Sequence, residues 1–285
     1  MRAQGSSTLQ GDTIIGVTFE SPHKLQSLLP ELLQSEVAGN GVEINQRLFK
    51  IRNADSSGRR SSASVLIQRR YASRGYIASD LPEEAEPQRI TLVASDAEVI
   101  IGTITIGFDS PAGLNVDETF GHETDALRAE RRNICEFTKL AVDNVSKSKR
   151  VLASLFHVAY IYAHRLMGFD SLLIEVNPRH VRFYQAMLGF KVLTGQRQNP
   201  RVNAPAVLMC LDFAYVQEQI ANLGGRPELS LEVRSLYPYF LSIAEEANIV
   251  GRLSRAHQDI ESLRAATSKD DYPDLEGDTV TGEFL

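Results

Sequence analysis

The stretch IEVNPRHVRFYQAMLGF, residues 174–190, changes structural period within a few residues. Ile174, Glu175 and Val176 suit a strand. Asn177-Pro178-Arg179 is a polar turn, and a helix carrying Phe183 and Tyr184 follows before the stretch closes on Leu188, Gly189 and Phe190. Asn177 suits a helix N-cap and Pro178 the first helical position, where its missing N–H costs nothing. Capping accounts for Asn-Pro by itself. Tyr184, one turn inside the helix, is either core packing beside Phe183 or a phenol held for proton transfer.

Outward from this stretch the pattern continues. KRVLASLFHVAYIYAHRLMG (149–168) predicts a long apolar helix that stops at Gly168. ICEFTKLAVD (134–143) reads as a strand. RITLVAS (89–95) and EVIIGTITIGF (98–108) read as a hairpin with a short connection. Residues 109–131 form an acidic insertion of loop and short helix. RLFKIRNA (47–54) alternates as a strand, SSASVLIQRRYAS (61–73) as a helix ended at Gly75, and APAVLMCLDF (204–213) supplies a late strand. The order implies an α/β fold of the α+β kind: a mixed sheet, antiparallel first and with a helical crossover later, flanked by helices. Four regions are expected. Residues 1–46 are partly disordered and partly helical, with leucines at helical spacing over 21–37 broken by Pro30. Residues 47–225 are the core, 226–268 a helical extension interrupted at Pro238, and 269–285 a mobile acidic tail.

The 285 residues carry a net charge of -6, so nucleic acid is not the expected partner. No run approaches the roughly 18 apolar residues of a membrane span. MRAQGSSTLQGD lacks the apolar centre of a signal peptide, so a cytoplasmic protein is expected. Two cysteines, Cys135 and Cys210, make no disulfide or metal framework and sit in no nucleophile motif. His157 and His164 lie seven apart on one helix with no third ligand at matching spacing, so no metal is expected. No G-x-G-x-x-G, G-x-x-x-x-G-K or G-x-S-x-G is present.

The element order, with Asn177, Phe183, Tyr184, Gly189 and Phe190, resembles the GNAT acyltransferases over residues 47–215. Two departures narrow the likeness. Tyr184 and Phe190 stand one residue further apart than in the usual pattern. The loop DNVSKSKR (143–150) carries no glycine where the GNAT loop brings backbone N–H groups to the coenzyme A pyrophosphate. Both departures, with CEFTKLAVD and the C-terminal RSLYPYFLSIAEEANIVGRL (234–253), resemble the FeeM-type long-chain N-acyl amino acid synthases. These stand between GNATs and LuxI-type autoinducer synthases. The autoinducer synthases have Arg where Lys139 stands and use a tryptophan, which this chain lacks. The resemblance implies direct transfer of an acyl group from acyl carrier protein to an amino-acid amine, with no bound cofactor. Acyl-coenzyme A with another amine, or a non-catalytic acyl-binding module, are the alternatives.

On this reading Lys147, Lys149 and Arg150, at a helix start where cations oppose the dipole, would meet the phosphopantetheine or the acidic carrier, together with Asn177. A solvated basic loop is the alternative. Glu136 and Tyr184 are the catalytic candidates, as base and as proton donor to the leaving thiolate. Strand alternation puts Glu136 and Thr138 on one face with Leu140 and Val142, with Lys139 and Asp143 opposite. The resemblance implies that a backbone N–H at Ala141 or Val142 holds the oxyanion. Arg179, His180 and Arg52 are candidates for the acceptor's carboxylate and proton.

Overall fold

The computed structural model describes residues 13–20, 46–143 and 149–267. The expected N-terminal helix over 21–37, the expected disorder of residues 1–12, the acidic tail and Lys147 lie outside the described residues.

The sheet is built in chain order from β1 (Ile15–Glu20), β2 (Gln46–Asn53), β3 (Arg89–Asp96), β4 (Val99–Phe108), β5 (Ile134–Val142), β6 (Ser171–Val176), β7 (Lys191–Val192), β8 (Arg197–Asn199) and β9 (Ala204–Asp212). The strands lie in the order β1-β2-β3-β4-β5-β6-β9-β7, with β8 paired to β9. Only the β5–β6 pair is parallel; the other pairings are antiparallel. This is the GNAT arrangement of a mixed sheet flanked by helices. The expected hairpin is β3–β4, but its turn is Ala97-Glu98, with Ala97 at φ 52°. β1 was not among the expected strands, although Ile15, Val17 and Phe19 alternate with Gly16, Thr18 and Glu20; it pairs along its whole length with β2.

Helices α1 (Ser57–Ala72) and α2 (Asp117–Ala129) cover one face. α1 begins four residues earlier than its apolar pattern because the Ser56 hydroxyl accepts from the Arg59 N–H and caps it. The other face holds α3 (Lys149–Tyr160), α4 (Val181–Leu188), α5 (Phe213–Leu223) and α6 (Ile243–Thr267). The long apolar helix expected over 149–168 changes at Ile161 into a π-helical turn that ends at Leu166. The main core lies on this second face, where α3 packs alternate residues of β4, β6 and β9: Ile104 and Ile106, Leu172 and Ile174, Met209 and Leu211. Their intervening neighbours Leu173, Leu208 and Cys210 pack on the α2 side with Phe120. No helix among the described residues is long and apolar enough to cross a membrane.

The opening motif folds as its residues dictate. Asn177 Oδ1 accepts from the Arg179 N–H at 3.2 Å, and Pro178 starts a 3-10 turn that runs into α4. Gly189 ends α4 at φ 82°, and any Cβ there would lie 2.3 Å from the Tyr215 ring.

Alternation along β5 is broken. Lys139 has φ 49°, and the β4 register shifts between Thr103 and Thr105, so an extra residue bulges from β5. The Thr103 hydroxyl donates to the Lys139 carbonyl at 2.8 Å and holds the bulge. The bulge reverses parity. Phe137 before it and Leu140 and Val142 after it all pack with the α3-side core. Ala141 packs on the α1 side, and Asp143 pairs with Arg69 of α1 at 3.1 Å. The expected face shared by Glu136, Leu140 and Val142 is therefore not formed.

Candidate active site

β5 and β6 pair only where Ile134–Glu136 meets Ser171–Leu173. Beyond that point β5 stays with β4 and β6 with β9. The strands diverge, and a cavity of about 660 Å³ opens at the gap. Its wall draws on both faces of the sheet. Leu152, Phe156, Val142 and Tyr184 come from the α3 side, while Tyr71, Arg89, Glu175 and Arg201 come from the α1 and α2 side. The α3-side wall is apolar and aromatic, and the opposite wall carries the ionic groups.

Glu136 is 1% exposed and does not line this cavity. Its two oxygens accept from the Asn115 and Val116 N–H groups, each at 3.0 Å, just ahead of α2. The carboxylate thus satisfies the donors that open that helix. Burial raises its pKa and the two N–H groups oppose the rise. Gly107 on β4 leaves room for it, since a Cβ there would lie 2.8 Å from Glu136 Cγ. The expected base is held as a helix-start anchor.

Three carboxylates line the cavity: Asp80 and Glu86 from the loop between α1 and β3, and, at the β5–β6 gap, Glu175 of the opening motif itself. It is the acidic residue of SLLIEV, on the α2 face of β6. Burial pushes its pKa up to about 7, against the opposing pull of Arg201. Asn199 Nδ2 donates to it at 2.9 Å, and the Arg201 guanidinium pairs with its other oxygen. Arg201 also donates to the Asn115 carbonyl, which links this carboxylate to the Glu136 anchor. A lone acid on an otherwise apolar strand was the readable signal for Glu175; Arg201, in the turn before β9, had none.

Tyr184 lines the cavity beside Phe156, Phe183 and Phe190, at ring separations of 6.4, 5.4 and 5.7 Å. Burial raises its pKa strongly, so it stands as a neutral phenol able to donate. Tyr71, across the cavity, is pushed up to about 12 by burial. Asn177 also lines the cavity while capping the turn below it.

The backbone phase of β5 separates the two oxyanion candidates. Asp143 N–H donates to the Ile101 carbonyl of β4 at 2.9 Å. N–H groups alternate along a strand, so Ala141, paired with Thr103, also faces β4, and the Val142 N–H faces the edge that β6 has left. Val142 lines the cavity and Ala141 does not. The Ala141 N–H is taken by the ladder.

The expected cations divide. His180 lines the cavity, and its pKa is lowered by burial and then by Arg179 and Arg74. Arg179 is exposed outside the cavity wall; it donates to the Tyr76 hydroxyl at 2.8 Å and lies over that ring. It therefore fixes a wall residue. Arg52 does not reach the site: it sits on β2, three strands from β5, and donates to Thr13 at 3.2 Å. Lys149 and Arg150 open α3 but do not line the cavity. Five cavity cations were not among the expected site residues: Arg60, Arg74, Arg89, Lys139 and Arg201. Lys139 Nζ donates to the Ser79 and Asp80 carbonyls at 3.1 and 2.9 Å, tying the loop after α1 over the cavity.

Cys135 and Cys210 are buried, free and outside the cavity wall. Burial raises both thiols, Cys210 to about 11, so neither is poised as a nucleophile. Among the described residues no group of three or more His, Cys, Asp or Glu side chains could hold a metal ion.

Comparison with known proteins agrees with this geometry. No curated protein matches the chain. Among solved structures, it is similar to FeeM, an N-acyl amino acid synthase from uncultured soil microbes. The identity is 28%, the TM-score 0.55, and the match covers 60% of this chain and 93% of that one. Weaker overlaps include the ribosomal-protein-S18-alanine N-acetyltransferase of Escherichia coli (14% identity, 57% and 93% coverage, TM-score 0.39). Another is the spermidine/spermine N-acetyltransferase SpeG of Vibrio cholerae (12%, 60% and 97%, 0.43). The family model for the N-acyl amino acid synthase FeeM matches residues 62–212, more than half of the chain and the whole of the cavity-bearing sheet from β3 to β9. The chain is an acyltransferase of GNAT fold and belongs to the FeeM family of N-acyl amino acid synthases.

Proposed function

We propose that the protein transfers a long-chain acyl group from an acyl carrier protein thioester to the α-amine of an amino acid. The observation that carries this reading is a cavity at the β5–β6 gap with an apolar wall on one side and an ionic wall on the other. An acyl chain suits the first wall and a zwitterionic acceptor the second. The glycine-free start of α3, with Lys149 and Arg150, suits one phosphate on a carrier's arm better than a pyrophosphate cradled by backbone.

The steps use groups already in the wall. Glu175 accepts a proton from the acceptor's ammonium, and the freed amine attacks the thioester carbonyl. The Val142 N–H holds the resulting oxyanion. Collapse breaks the C–S bond, and Tyr184 donates its proton to the departing thiolate. The proton shed by the new amide nitrogen restores the phenol. Arg74, opposite Tyr184 and His180, is the cation for the acceptor's carboxylate, in place of Arg179.

The test is to incubate the purified protein with matched long-chain acyl carrier protein and acyl-coenzyme A, each with the twenty amino acids, and to follow thiol release and amide products by mass spectrometry. Amide formed mainly from the carrier supports the proposal and names the acceptor. Amide mainly from coenzyme A overturns the carrier, and none from either overturns the transfer.

A further inference from the structure

Behind the apolar wall lies a second, much smaller void of about 10 Å³. That is at the lower limit for a single water; its lining is largely carbon, although the hydroxyl of the lining residue Tyr160 has no hydrogen-bond partner. Phe137 and Phe156 line both spaces. Their rings stand 6.0 Å apart and tilted by 49°, and they form the partition between cavity and void. The far side of the void is apolar and aromatic, closed by Phe213 and Val216 of α5 and by Tyr237 and Phe240 of the C-terminal segment.

Partition and floor differ in how they are held. The floor is pinned: Tyr237 donates its hydroxyl to the Leu188 carbonyl at 2.7 Å, and Phe240 stacks on the buried His157 ring at 4.9 Å. The Leu241 N–H donates to His157 Nδ1 at 2.9 Å. The partition is held only by carbon contacts, and the void behind it gives no backing. Phe156 also meets the Tyr184 ring at 6.4 Å. An acyl chain whose thioester sits at Tyr184 therefore runs into Phe156 as it enters.

We propose that the Phe137–Phe156 pair is the acyl-length stop of this enzyme. Displacing either ring joins the cavity to the void and extends the acyl site to the floor made by the C-terminal segment. The inference rests on the N-acyl transfer reading and adds to it the residues that select the donor. Each further methylene taken out of water would favour the longer donor by about fourfold in kcat/KM.

The experiment is a competition among a ladder of saturated acyl thioesters, with product chain lengths read by mass spectrometry. It compares the wild type with Phe156→Leu, Phe156→Ala and Phe156→Ala combined with Val216→Phe. The expected result is a shift to longer chains in Phe156→Leu, a larger shift in Phe156→Ala, and its reversal when Val216→Phe refills the space. Folded Phe156 variants with the wild-type length profile would overturn the stop. Should Phe156→Ala fail to fold, Phe156→Leu and Phe137→Leu decide by the same readout. Failure of the transfer reading shows differently, as no amide from the wild type with any thioester. The stop is then tested by thermal shift with saturated fatty acids, where an unchanged length optimum in the variants overturns it.

Discussion

Glu136 is buried and Glu175 partly buried on neighbouring strands, and their partners set them apart. Two helix-opening N–H groups consume Glu136, whereas Glu175 faces the cavity with its pKa raised to about 7. Replacing Glu175 by Gln should lower kcat by about 10²–10⁴ with the fold intact, measured by steady-state kinetics and circular dichroism. In the wild type kcat should rise with pH through about 7, as the base loses its proton, and this inflection should vanish in Glu175→Gln. The same carboxyl carries a stability cost. Its folded pKa lies above its ordinary 4.5, so stability present in acid is lost as pH rises through about 7. Wild-type stability should fall relative to Glu175→Gln by roughly 3 kcal/mol at most between these limits, in denaturant titrations at several pH values. Glu136→Gln should instead cost about 1–3 kcal/mol by leaving an N–H unpaired, and keep the kinetic inflection near pH 7.

Among the elements, β5 and the last helix decide most. The bulge at Lys139 turns Leu140 and Val142 toward the α3 side and leaves the Val142 N–H facing the gap. A lysine at positive φ costs of order 1 kcal/mol, which the Thr103 and Ser79–Asp80 bonds offset. α6 is tied to α3 by Glu246, which pairs with buried His157 at 3.0 Å and with Arg165 at 2.7 Å. His157 Nδ1 accepts from Leu241, so Nε2 carries the proton and donates to Glu246. Glu246→Ala should destabilise the protein by about 1.5–3 kcal/mol, read as a lowered Tm. Burial lowers the His157 pKa. Burial works to raise that of Glu246, but His157 and Arg165 outweigh it and hold it low. Both groups therefore contribute stability that is present at neutral pH and lost as pH falls, first below the ordinary histidine value and then through the carboxylate range. Acid should loosen the attachment of α6 first.

On the scale of the whole molecule, a chain of net charge -6 would repel an acidic carrier, so the proposed carrier docking would have to be local. Lys149 is exposed at the start of α3, next to the cavity wall formed by Leu152 and Val142. Lys147→Glu combined with Lys149→Glu should lower kcat/KM for the carrier-borne substrate by about tenfold at low ionic strength, and the loss should shrink as salt screens it. A small acyl-pantetheine thioester should be turned over equally by both proteins. Equal losses with both substrates would remove the basic helix start from carrier docking.

What the sequence determined by itself is local and periodic. The Asn177-Pro178 cap, the β3–β4 hairpin, the apolar α3 and the β6–α4 motif follow from alternation, helical spacing and capping chemistry, which act within a few residues. The family likeness was readable because it rests on those same short motifs. Tertiary structure decided the rest. The Lys139 bulge depends on a register held by Thr103 of another strand, and it alone reverses the faces of β5. Which of Glu136 and Glu175 faces the cavity depends on Asn115 and Val116, and on Asn199 and Arg201, brought from two separate parts of the chain to two neighbouring strands. A carboxylate's role is set by which donors and how much water reach it, and no spacing in one strand records that.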